Sequence, residues 1–337
     1  MKKLIVSFAL IFGALIANAQ SGIMDAHNQA MTQAQQGNMD KAISIIKAAE
    51  ADYPDNLVLL KDEVLLSTTN QQYAGAIAVG KHLITLPDVD DQAYQVVGSA
   101  YAKAGKNTEA IKVYQEGIQK FPASGMLYAE CGDAMSNAGS LSDAAKTWEL
   151  GIQADPSVAD NYYFLSKYYA NHQNPLWSIL YGENFVNIET FTSRTPEIKD
   201  IVFSQYRALF ATDNVLQNYI NNGQPFEKAV ASTLFQFKDI VSESIFPESL
   251  YALRGQFLVN WFSGDKAKTF PYKLFDRQLQ LSKIGIFEAY NQWLFSSYNA
   301  DAFANWAQLH DGEIKEFAKF QRSSMFNIPQ GQYYAHN

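Results

Sequence analysis

Small and large apolar residues return along the first half of the chain in one frame of 34 residues. Gly98 and Tyr101, then Ala110 and Tyr114, then Pro122, are followed 34 positions on by Gly132 and Met135, Ala144 and Trp148, and Pro156. Two periods earlier the frame holds Ala30, Gly37, Ala42, Ile46, Ala49 and Pro54. A period of this length predicts two antiparallel helices per repeat, each hairpin too small to bury its own apolar face and therefore stacked on the next. The frame divides the chain into residues 23–56, 57–90, 91–124, 125–158 and 159–189.

Two repeats are in full register: 91–124, with Tyr94, Val97, Gly98, Tyr101, Ala110, Tyr114, Gly117 and Pro122, and 125–158, with Tyr128, Cys131, Gly132, Ala144, Trp148, Gly151 and Pro156. On these residues the pattern resembles the tetratricopeptide repeat. The resemblance implies small residues where the two helices cross, large apolar ones between hairpins, and a proline closing the second helix. Glycine at Gly98 and Gly132 admits close approach of helices, against a propensity cost of about 1 kcal/mol. Gly105 and Gly139 fall between the two helices, where a positive φ is expected. Three repeats depart from the frame. The first has Gln33 where an aromatic is usual, the second has Gly80 at a bulky site and Pro87 one residue early, and the fifth lacks a closing proline.

Past the repeats the periodicity stays helical, with elements expected at 196–211, 226–237, 248–262, 271–284, 286–298 and 301–322. No alternating strand pattern appears. The fold class expected is all-α: a solenoid of about five tetratricopeptide-like hairpins over residues 20–190, then a second helical domain over 191–337. Rings support the division, since 36 of the 46 Phe, Trp and Tyr lie from Asn161 onward. Crossings in the repeats need small residues, whereas the later part must pack large ones.

The N-terminus reads as an export signal: Lys2 and Lys3, an apolar stretch from Leu4 to Ile16, and Ala17-Asn18-Ala19 before Gln20. The expectation is cleavage after Ala19, leaving a periplasmic or secreted protein with no transmembrane segment. Loss of Lys2 and Lys3 takes the formal charge from −8 to −10. A chain this acidic, with no basic stripe, repels phosphate backbones and is not expected to bind nucleic acid. The single cysteine, Cys131, sits at a packing position and reads as a small core hydrophobe.

Chemistry is sparse. His27, His82, His172, His310 and His336 are scattered and form no metal motif, and there is no nucleophile elbow, phosphate loop or paired-cysteine site. No cofactor, metal or catalytic residue is expected. The resemblance instead implies a groove lined by the first helix of each repeat, from its second, fifth, ninth and twelfth to thirteenth positions. That rule assigns Gln92, Gln95, Ser99 and Lys103 in the third repeat, Asp133 and Asn137 in the fourth, and Tyr163, Lys167 and Asn171 in the fifth. The carboxylate clamp of the family's chaperone-tail binders is not reproduced, since Ser99 and Asp133 stand where amides are needed. The leading expectation is a non-enzymatic scaffold for a protein or peptide partner. The alternatives are a carbohydrate- or peptidoglycan-binding protein using Phe287 to Trp293 or Tyr334, and a hydrolase with paired carboxylates in a cleft.

Overall fold

A computed structural model describes residues 20–336, and every regular element in them is helical. The export segment, residues 1–19, lies outside the described residues. The chain forms two compact units, one up to Ser140 and one from Leu141 onward. The boundary expected at 190–196 falls inside the second unit, between two of its helices.

The first unit comprises α1 (20–35), α2 (Met39–Glu50), α3 (Leu57–Thr69), α4 (Tyr73–Leu83), α5 (Asp91–Lys103), α6 (Asn107–Lys120) and α7 (Gly125–Asn137). Helix starts follow from capping chemistry: Asn56 Oδ1 accepts from the amides of Val58 and Leu59, and Asp90 Oδ1 accepts from Ala93 at 3.0 Å. The core runs as the frame requires, with Val64, Ala76, Tyr94, Val97, Ala110, Tyr114 and Leu127 all buried. A Cβ on Gly98 would lie 2.3 Å from the Tyr114 ring. Gly80, out of place in the frame, is explained by its neighbour: a Cβ there would meet Val97 at 2.8 Å. Cys131 is buried in this core, and burial pushes its thiol up to about 12.

The 34-residue period is also visible in the backbone. Gly37, Gln71, Gly105, Gly139 and Gln173 share one position of the hairpin turn, and all five have positive φ, between 55° and 88°. Glycine adopts this conformation freely, whereas a side chain costs about 1 kcal/mol there. Gln173→Gly is therefore expected to stabilise the second unit by about 0.5–1 kcal/mol, measured by urea denaturation. All five tryptophans, Trp148, Trp177, Trp261, Trp293 and Trp306, belong to that unit, so tryptophan fluorescence follows it alone.

The second unit opens with α8 (Leu141–Ala154), α9 (Ala159–Asn171) and α10 (Pro175–Ile188). Helix α10 is its axis: every residue from Pro175 to Val186 is buried. Around it lie α11 (Thr195–Leu209), α12 (Asp213–Asn222), α13 (Pro225–Phe235), α14 (Pro247–Ser263), α15 (Lys266–Thr269), α16 (Lys273–Lys283), α17 (Phe287–Leu294), α18 (Ala300–Leu309) and α19 (Asp311–Ser323). Prolines at the first turns of α10, α11, α13 and α14 set four of these starts. The helix α12 is absent from the expected elements, because only Leu216 and Tyr219 of its ten residues are buried and its apolar stripe is thin. One helix was expected over 301–322, and two are found. The Trp306 carbonyl takes both the backbone and the ring N–H of His310, at 3.0 and 2.9 Å, and the imidazole stacks on the Trp306 ring. That side-chain competition ends α18 at Leu309. The element expected over 286–298 stops at Leu294 and finishes in a short 3₁₀ turn, Ser296–Tyr298.

Glu183 projects from α10 into the middle of this packing and is 1% exposed. Its Oε1 accepts from Gln278 Nε2 and from the Tyr290 hydroxyl, both at 2.7 Å, and from the Arg254 guanidinium. Arg254 donates in turn to Asn291 Oδ1 at 2.6 Å. One carboxylate thus ties α10 to α14, α16 and α17.

Candidate functional site

The first unit carries an open cleft of about 340 Å³ lined from α1, α3 and α5 by His27, Val58, Lys61, Asp62, Leu65, Gln92, Gln95 and Val96. Of the expected groove residues, Gln92 and Gln95 are here. Their neighbours sit at the same places in the frame: Val58 and Gln92 at the second position, His27, Lys61 and Gln95 at the fifth, Leu65 at the ninth. The positional rule therefore reaches His27, Val58, Lys61 and Leu65 as soon as it is applied to the first two repeats as well. Leu65 is 46% exposed.

The cleft's charges are partnered. Lys61 Nζ lies 2.5 Å from Asp90 Oδ2 and donates to Gln92 Oε1 at 3.3 Å. Gln95 Nε2 donates to Asp91, whose Oδ2 also accepts from Ser124 Oγ at 2.6 Å. His27 Nδ1 lies 2.7 Å from Asp62 Oδ2. Burial pushes the Asp62 carboxyl up, against the opposing hydrogen bond and charge of His27. The glutamine amides keep donors and acceptors to spare, a property that suits contact with a polypeptide backbone.

The other expected groove residues are distributed differently. Ser99 is half-buried and Lys103 exposed further along α5; on α7, Asp133 is half-buried and Asn137 exposed. Tyr163, Lys167 and Asn171 belong to the second unit. There Tyr163 and Lys167 are held by α11: the Tyr163 hydroxyl donates to Glu197 Oε2 at 2.7 Å, and Lys167 Nζ meets Glu197 Oε1 at 2.7 Å. The Arg194 guanidinium packs over the Tyr163 ring and reaches Asp160 Oδ1 at 2.7 Å. Glu197 and Arg194 lie 34 residues beyond Tyr163 and Asp160, so α11 occupies the place a further first helix would take. The Lys167 ammonium and the Tyr163 hydroxyl hold the Glu197 carboxyl below its ordinary value. Burial works against the Lys167 charge, but Glu197 and Tyr163 hold its pKa above the usual lysine range. Asn171 is exposed.

The aromatic stretch 287–293 turns inward. Phe287, Tyr290, Asn291 and Gln292 are buried, Asn291 Nδ2 donates to the Phe287 carbonyl and Gln292 Nε2 to Glu248. The half-buried Trp293 ring carries Lys199 Nζ 4.7 Å from its centroid and packs on Tyr290 and Phe317. Among the described residues no group of histidine, cysteine and carboxylate side chains is arranged to hold a metal ion, and no helix is long and apolar enough to cross a membrane.

One acidic cluster lies beside the cleft helices. Glu50 of α2 faces Glu63 of α3, and Lys47 Nζ is 3.3 Å from Glu63 Oε1. Burial, then the hydrogen bond and charge of Glu63, push the Glu50 carboxyl up to about 8. Between about pH 4.5 and pH 8 the folded state therefore keeps a proton that the unfolded chain has released. Its stabilising contribution is full at low pH and is lost as pH rises through about 8. The first unit is expected to melt at lower temperature at pH 8.5 than at pH 5.5, with Glu50→Gln flattening the difference, followed by far-UV circular dichroism.

A comparison with curated proteins returned no match. Among solved structures the chain is similar to a tetratricopeptide repeat protein from Parabacteroides merdae ATCC 43184, at 12% identity over 82% of this chain and 98% of that one, TM-score 0.43. It is similar to a thermophilic tetratricopeptide repeat protein of Thermus thermophilus, at 14% identity over 56% of this chain and 98% of that one, TM-score 0.42. It is also similar to YrrB, described as a tetratricopeptide repeat protein with an unusual peptide-binding site, at 14% identity over 51% and 89%, TM-score 0.38. The stacked hairpins agree with the family model that matches the chain: residues 93–124, in the third repeat, match the tetratricopeptide repeat.

Proposed function

We propose that the chain is an exported, non-enzymatic scaffold that holds an extended protein segment against the first helices of its stacked hairpins. The cleft of α1, α3 and α5 carries this reading. Its exposed Leu65, with Val58 and Val96, offers an apolar floor, and Gln92, Gln95 and Lys61 flank it with amide and ammonium groups. A peptide needs both: apolar contact for affinity and groups that satisfy its backbone for register. Tyr163 and Lys167 are engaged with Glu197, so the binding surface is assigned to the first unit.

The export reading rests on Lys2, Lys3, the apolar run from Leu4 to Ile16 and Ala17-Asn18-Ala19. Expression of the whole chain in its native cell should yield a protein whose first residue is Gln20 and which fractionates outside the cytoplasm. A photo-crosslinking side chain placed at Leu65 should then capture a defined protein that the same group at Asn171 does not. Equal capture at the two positions, or none at Leu65, removes the cleft from the function.

A further inference from the structure

Past α19 the chain leaves helical structure and runs extended over the second unit from 324 to 336. Phe326 and Ile328 are buried, the Arg277 guanidinium holds Ser324 at Oγ and at its carbonyl, and the Lys273 amide donates to the Gln332 carbonyl at 3.1 Å. After a turn at Gly331, with φ of 76°, the last residues enter a pocket. The Tyr334 ring lies face to face on Phe226, 3.9 Å away and 8° from parallel. The His336 amide donates to the Tyr181 hydroxyl at 3.1 Å. Its imidazole lies between Tyr169, at 5.1 Å, and Trp177, at 5.9 Å, with Nε2 3.8 Å from Glu227 Oε1.

The pocket has a built character that does not depend on the tail. Glu227, 4% exposed, is fixed by the Trp177 indole N–H and the Gln224 amide, both at 2.5 Å. Glu149, also buried, accepts from the hydroxyls of Tyr169 at 2.7 Å and Tyr181 at 3.1 Å. Rings backed by two fixed carboxylates form a cage for a cation, and Phe226 offers a flat face for an aromatic side chain. Tyr333, Tyr334 and His336 all remain partly exposed, unlike the rings that receive them. An extended segment with a partly exposed face, seated on a wall held together by its own hydrogen bonds, is a ligand in geometry although it is part of the same chain.

We infer that this pocket, formed by α8, α9, α10 and α13, is a second peptide-binding site, distinct from the cleft of the first unit. It takes an extended segment with an aromatic residue followed two positions later by a basic side chain, and residues 330–336 occupy it in cis. A partner bearing that motif binds by displacing the tail, which holds the site at the high effective concentration of an attached ligand.

The test uses the full chain with Tyr334→Ala and His336→Ala, and a fluorescein-labelled peptide of residues 326–337 as the probe. Saturable binding to the variant, at least tenfold tighter than to the unmodified chain, is expected. An arginine at the His336 position of the peptide should tighten binding, and a glutamate should weaken it at least tenfold. No saturable binding by a variant with an unchanged circular dichroism spectrum overturns the inference, as does equal binding to both chains. If the variant does not fold, hydrogen exchange on the unmodified chain decides. Excess peptide should speed exchange at the chain's own His336 amide, and unchanged exchange there overturns the site. Concentration-dependent dimers that Tyr334→Ala abolishes would reassign the tail to a second copy and overturn its occupancy in cis. Leu65→Asp should leave this binding untouched, which separates its failure from failure of the cleft.

Discussion

Glu183→Ala is expected to destabilise the second unit by about 3–5 kcal/mol, the cost of stranding one partner of a buried ion pair. Arg254 is 3% exposed, and removal of the carboxylate leaves its guanidinium facing neutral polar groups, the Asn291 amide and the Tyr290 hydroxyl. The rings of Tyr206, Phe287, Tyr290 and Phe295 around it, with centroids 5.5 to 6.0 Å away, cannot replace a full negative charge. Gln278 and the Tyr290 hydroxyl lose an acceptor at the same moment. Urea denaturation followed by tryptophan fluorescence reads the effect in the second unit. Glu183→Leu combined with Arg254→Met should recover most of the loss, because an apolar pair of similar volume removes the desolvation cost on both sides. A loss below about 1 kcal/mol, the size of an exposed pair, would show that the network is solvated.

Gly98→Ala should destabilise the first unit by about 1–3 kcal/mol, the overpacking range, although alanine is the better helix former by about 1 kcal/mol. The added Cβ falls 2.3 to 2.7 Å from three atoms of the Tyr114 ring, which is itself buried and hemmed in by the crossing. Burial and the Glu130 carboxylate both push the Tyr114 hydroxyl well up, and with the ring 2% exposed there is no free space for it to swing into. Gly75, with nothing within 4 Å of a Cβ, is the control: Gly75→Ala should cost nothing. Tyr114→Leu in the Gly98→Ala background should relieve the clash, giving a coupling energy that the two single changes do not predict. Thermal unfolding followed by far-UV circular dichroism measures the parent and all four variants.

The repeats were legible because their constraint is local and periodic. Gly98 against Tyr114, Gly105 and Gly139 at positive φ, and the proline after the second helix in the first four repeats are each fixed by a contact or an angle within one or two repeats. Gln71 and Gln173 carry the same positive φ without a glycine to announce it. In the second half the helices were read from apolar spacing, and the misses have physical causes. Helix α12 buries only two side chains, and the break at His310 depends on a ring N–H meeting a carbonyl, which composition does not encode. The role of α10 was hidden as well. A second helix of a repeat is expected to bury one face, whereas this one is buried through Glu183 and Asn184, and those polar residues become intelligible only through the partners of Glu183 on α14, α16 and α17 and the Tyr272 hydroxyl at Asn184.

The expected groove residues are divided between the two units for the same reason. Position within the repeat placed Gln92 and Gln95 on the cleft, and the same rule applied to earlier repeats places His27, Val58, Lys61 and Leu65 there. Position alone could not reveal that Glu197 and Arg194, one period further on, engage Tyr163, Lys167 and Asp160. The docking of the tail on Phe226, Trp177 and Glu227 was equally out of reach, because it joins segments more than one hundred residues apart.

The most direct test of the scaffold reading is a selection of displayed random peptides on the full chain, followed by solution affinities of the winners. Two variants serve as comparison: Leu65→Asp with Gln95→Ala in the cleft, and Tyr163→Ala with Lys167→Ala on the second unit. The expected result is enriched peptides whose affinity falls at least tenfold on the cleft variant and stays within twofold on the other. Peptides that lack an aromatic residue two positions before a basic one and bind both variants as well as the parent, or no enrichment at all, would contradict the assignment of the α1, α3 and α5 cleft as the surface that holds a partner.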